Sequence, residues 1–190
     1  MARLISRRAL GVLASALCAS CALFGGQTGQ DSAPASEPPP CPRTVVANQV
    51  WNGTTVEARV QPLVGTYAAE LTWWTEPPGG AQSSALALED RLSIVVAYSG
   101  VGGTVTCAGS LEVPVEVTLS SEVSGISEQG AGTLTFAASA DPGAQLSHSM
   151  GGLTLSVRLN PIATQMPPAG DLTATRDELP SSYATIGEAP

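Results

Sequence analysis

Strict alternation constrains this chain most. Leu111-Glu112-Val113-Pro114-Val115-Glu116-Val117-Thr118-Leu119 places an apolar residue at every odd position and Glu, Pro or Thr between them. Side chains of a strand alternate faces, so the run predicts a strand with one buried face. Pro114 has no N–H to give to a ladder and predicts an edge strand or a bulge. After Ser124-Gly125 the apolar set moves to even positions, at Ile126, Leu134 and Phe136, which makes a long hairpin. Gly130 and Gly132 read as a kink in it.

Other segments follow the same period. Val56, Ala58 and Val60 share a face, as do Tyr67, Ala69, Leu71 and Trp73. Leu86, Leu88, Leu92, Ile94, Val96 and Tyr98 keep even parity across a polar bend or turn at Glu89-Asp90-Arg91. Val101, Val105 and Cys107 follow at odd positions, with Cys107 on the inward face. Leu153, Leu155, Val157 and Leu159 form the last clear strand before Asn160-Pro161. No helical stripe runs for ten residues. Seven to nine short strands with Gly, Pro and Ser turns predict an all-β fold, an antiparallel β-sandwich of immunoglobulin-like type in preference to a barrel.

The N-terminus carries a different message. Arg3, Arg7 and Arg8 precede the uncharged run ALGVLASALCASCA, from Ala9 to Ala22. A basic head, a short apolar stretch and small residues at its end make an export signal. The run is shorter than the 20 or so residues a spanning helix needs. Cys18-Ala19-Ser20-Cys21 resembles the lipobox of a bacterial lipoprotein signal peptide; Ala19, Ser20 and Cys21 fit, while Cys18 stands where that pattern usually has an aliphatic residue. The resemblance implies cleavage before Cys21 and a thioether lipid on it. Ala22 in the following position resembles lipoproteins sent to an outer membrane, where the cell has one. Cleavage after Ala22 is the alternative and leaves a secreted or periplasmic protein.

Gly25 to Pro40 is rich in Gly, Pro, Ser and Gln and reads as a flexible tether. The organisation is therefore signal peptide 1–21, tether 22–40, sandwich 41–161 and a flexible or loosely docked tail 162–190, in which Leu172 and Ile186 allow a brief final strand. Either cleavage leaves Cys41 and Cys107 to pair in an oxidising compartment. All eight basic residues are Arg, and three of them leave with the signal while none of the sixteen acids does, so the net charge goes from −8 to −11. That balance disfavours nucleic acid as a partner.

Chemistry is sparse. His148 is the sole histidine and reads as a loop residue with no carboxylate at ligand spacing. There is no Gly-x-Ser-x-Gly elbow, calcium loop or phosphate loop. The expectation is a non-enzymatic domain without metal or cofactor, attached to a membrane by its lipid and meeting an envelope protein or a glycan. Trp73-Trp74 is the aromatic feature that stands out: parity buries Trp73 and leaves Trp74 at a strand end as a candidate ligand contact. A small hydrolase centred on His148 is the weakest of the three readings.

Overall fold

The computed structural model describes residues 40–74, 90–175 and 183–186. The fold is all-β and antiparallel, as expected, but the sheet closes into an eight-stranded barrel and is not a sandwich. The barrel strands are β4 (Gly65–Trp74), β5 (Asp90–Ala97), β7 (Leu111–Ser120), β8 (Ser127–Phe136), β9 (Ala144–Met150), β10 (Leu153–Leu159), β11 (Ala169–Ala174) and β12 (Tyr183–Ile186). Each pairs with its successor in this series, and β12 returns to β4 through Tyr183↔Trp74 and Ile186↔Leu71. Residues 169–174 and 183–186, within the expected tail, thus supply two staves of the barrel. Strands β1 (Arg43–Val45) and β6 (Gly103–Val105) extend the sheet beside the start of β7.

Alternation does what the sequence pattern demands. Tyr67, Ala69, Leu71, Trp73, Leu92, Ile94, Val96, Leu134, Phe136, Leu155 and Leu172 are all buried in one cluster. Eight strands enclose a space just wide enough for side chains to fill. Glu70, Arg91, Glu112, Glu116 and Arg158 lie exposed on the other face. That is the reverse of the apolar-out, polar-in wall of a membrane-spanning barrel. Among the described residues no helix is long and apolar enough to cross a membrane.

Pro114 is neither on an edge strand nor in a bulge. β7 pairs with β6 at Leu111 and Glu112, and with β5 from Glu116 onward, while β8 accompanies its whole length. Pro114 falls where β7 exchanges one neighbour for the other, a place that asks no N–H of it on that side. β8 keeps an unbroken register with β7 through Gly130 and Gly132. They occupy inward positions where neighbours fill the missing side chain: at Gly132 a Cβ would stand 3.1 Å from the Ser147 carbonyl oxygen and against Val117.

One end of the barrel is covered by the segment before β4. A hairpin of β2 (Val50–Trp51) and β3 (Thr54–Thr55) leads into a helix, α1 (Val56–Val60), and a 3-10 turn, Gln61–Leu63. Val56-Ala58-Val60 is therefore helical, not extended. Thr55 caps the helix by accepting from the Ala58 N–H at 3.2 Å, and Val56 and Val60, one turn apart, are both buried. Asn52 Nδ2 donates to the Ala138 carbonyl and Arg59 Nη1 to that of Asp141, which ties the segment to the β8–β9 connection. The Arg59 guanidinium sits 5.2 Å above the buried Trp51 ring. Inside, the Tyr67 hydroxyl reaches the Leu63 carbonyl at 2.9 Å, and burial pushes its pKa up to about 12.

Candidate functional site

The opposite end of the barrel, where β4 ends and β5 begins, is called the upper rim below. Trp73 and Trp74 stand there on opposite faces. Trp73 is fully buried, as parity requires, and Trp74 is half-buried on the outer wall. Trp74 Nε1 donates to Thr185 Oγ1 at 3.0 Å, which lays the indole along β12. Its cross-strand partner is Tyr183. Burial first, then the charge of Asp171 and a hydrogen bond with it, push the Tyr183 phenol upward in pKa. The loop after Trp74 lies outside the described residues, and so do Leu86, Leu88 and Glu89.

Register extends this patch around the barrel. Thr72, Thr185, Asp171, Ser156 and Ser147 are successive cross-strand partners on the outer wall. Thr173, Thr154 and Ser149 make a second row leading away from Tyr183. The Trp74–Tyr183 pair therefore opens onto hydroxyl rows in which Asp171 is the acidic member. The sequence identified Trp74; Tyr183, Asp171 and Thr185 were hidden because their adjacency is created by barrel closure.

A second surface feature is a groove of about 440 Å³ on the outer wall, where Pro114 marks the exchange of partners. Ala97, Tyr98, Pro114, Glu116 and Ala131 line it. The Glu116 carboxylate accepts from Gln129 Nε2 at 2.5 Å.

The upper rim also buries polar groups. Asp90 is 4% exposed and accepts from Trp73 Nε1, the Ser121 hydroxyl and the Arg91 N–H. Ser124 Oγ donates in turn to Ser121 Oγ at 3.1 Å. Asp90 was expected in a polar bend and is instead an inward residue of β5. His148 was expected in a loop and is instead on β9, 3% exposed, inside the barrel. The signal for it was present, since Ala144, Leu146 and His148 share parity. Among the described residues no three His, Cys, Asp or Glu side chains converge as a metal site.

Cys41 and Cys107 form a disulfide, as predicted, with the sulfurs 2.03 Å apart. Both residues are exposed, and Cys107 follows β6 in a turn and does not face the core. The bond joins the chain just before β1 to the chain just after β6. Cys21 lies outside the described residues. No protein family, curated protein or solved structure matches the chain.

Proposed function

We propose that this chain is an exported cell-envelope protein, anchored by a lipid on Cys21, whose barrel is a non-catalytic interaction or structural domain. The observation that carries the reading is the single apolar cluster that lines the barrel. Buried side chains from all eight staves and from the covering segment belong to one cluster. The basic, apolar and small-residue succession of 1–21 supports export, and the Gly- and Pro-rich 22–40 supports a spacer between a lipid and the barrel. The mass of the mature N-terminal peptide, isolated from a bacterial membrane fraction, tests the anchor. A diacylglyceryl-modified Cys21 is expected, and an unmodified Leu23 start would replace the anchor with a freely secreted or periplasmic protein.

A second reading rests on the Trp74–Tyr183 pair. Aromatic rings beside hydroxyls and a carboxylate suit a pyranose, whose apolar face stacks while its hydroxyls exchange hydrogen bonds. The reading makes the barrel a glycan-binding module of the envelope. Trp74→Ala is expected to abolish any saturable fluorescence change that envelope polysaccharides produce in the native protein. Equal binding by the variant would remove Trp74 from the site.

A further inference from the structure

His148 enters the barrel with its two ring nitrogens in unequal situations. Nδ1 lies 2.8 Å from the Ala131 carbonyl oxygen. A carbonyl only accepts, so in the neutral ring Nδ1 carries the proton and Nε2 the lone pair. Nε2 is buried and has no hydrogen-bond partner among the described residues. A buried acceptor without a donor is unfavourable, and such an atom calls for an explanation.

A thioether and the edge of this ring border the same position on the facing strand. Met150 follows His148 on the same face of β9, and Gly130 stands on the facing strand. Where a Gly130 Cβ would be, Met150 Sδ is 2.7 Å away and His148 Cε1 is 3.3 Å away. The notch at Gly130 is thus bordered by one imidazole and one sulfur. A metal-bound histidine characteristically donates its other N–H to a backbone carbonyl, which fixes tautomer and ring orientation. His148 already has that arrangement.

We infer that His148 Nε2 and Met150 Sδ form a binding site for a soft monovalent cation, Cu(I), at the upper rim of the barrel. Thioether sulfur selects Cu(I) over the harder divalent ions, and a neutral imidazole suits the same metal. Met150 is 41% exposed, so the residue that carries the sulfur can be met from solvent. Three rotatable bonds let its sulfur close over an arriving ion. Glu128 stands on the same face of β8, two residues before Gly130, with its carboxylate against Gly151. Its charge favours cations at this mouth. The site is independent of the anchor and of glycan binding.

Silver, Ag(I), is the diamagnetic probe. The full chain is labelled with ¹⁵N and with ¹³C at Met methyls, and its free thiols are alkylated with the disulfide intact. The chain has one His, so its ring resonances are unambiguous. One equivalent of Ag(I) is expected to move the Nε2 resonance and the Met150 methyl together, while the Met166 methyl stays. Met150→Leu is expected to weaken Ag(I) binding at least about tenfold, with the barrel still folded and the Nδ1 proton still on the Ala131 carbonyl. Cu(I) taken from a colorimetric chelator without oxygen is expected to show the same stoichiometry and the same dependence on Met150. The inference is overturned if Ag(I) leaves the Nε2 resonance in place, or moves it equally in Met150→Leu. The sulfur and the ring then only share the notch at Gly130. His148→Gln is a further check, and the Leu variant keeps the test decisive should that one fail to fold.

Discussion

At Asp90 a carboxylate leaves water for the barrel interior and is held there by donors. Burial pushes its pKa up; hydrogen bonds from Ser121, Trp73 and the Arg91 N–H, with the Ser124 hydroxyl beside them, outweigh that and leave it below the ordinary carboxylate value. A folded-state pKa lowered below the unfolded one contributes stability above about pH 4 and loses it as pH falls through the folded value. Asp90→Asn is therefore expected to narrow its deficit in thermal midpoint against the native protein as pH drops from about 5 to about 3. Asp90→Ala strands the Trp73 N–H and the Ser121 hydroxyl and is expected to cost about 2–3 kcal/mol in urea denaturation at neutral pH. A loss below about 0.5 kcal/mol, the size of an ordinary surface change, would contradict the buried network. The even parity of Leu92, Ile94 and Val96 already pointed Asp90 inward, but a flanking glutamate and arginine disguised it as a bend. His148 was concealed in the same way by serines on both sides.

Elements were legible where one period was unambiguous. β7 and β10 run as their alternation requires, because each has one buried and one wet face over at least seven residues. Val56-Ala58-Val60 failed because five residues with Val at both ends satisfy a strand and a single helical turn equally; the Thr55 cap decides for the helix. Beside these, β1 is short and, among the described residues, forms the outer edge of the sheet, joined to β6. Its fastening is covalent. The Cys41–Cys107 bond closes a separation of 66 residues, for which chain entropy predicts up to about 4 kcal/mol. The double variant Cys41→Ala/Cys107→Ala is expected to lower the urea midpoint and to lose amide protection first in β1 and β6. Since neither strand belongs to the ring of eight, the barrel core is expected to keep its near-ultraviolet signal. A collapse of that signal would mean that the bond holds the barrel and not its appendage.

For the whole molecule, sandwich and barrel impose the same alternation on every strand, and no local pattern tells them apart. What separates them here is the seam between β4 and β12, where Trp74 and Thr185 meet from 111 residues apart. The mixed polar and proline content after Pro161 left room for one brief strand at Leu172 and Ile186, where the ring takes two. A chain ended after Thr175 would lack β12 and would leave β4 and β11 with open edges beside Trp73 and Leu172. It is expected to bind a hydrophobic dye and to elute as aggregate, since unpaired strand edges template association. A monomer with native dye response would refute the seam's importance. The meander has a temporal side as well. Neighbouring staves are neighbours in sequence and can zip as hairpins as they are made, but the β4 edge must wait for residues 183–186. Until they arrive, every nascent copy is an open ribbon with a sticky border, and whatever holds it in that interval decides how many copies become barrels.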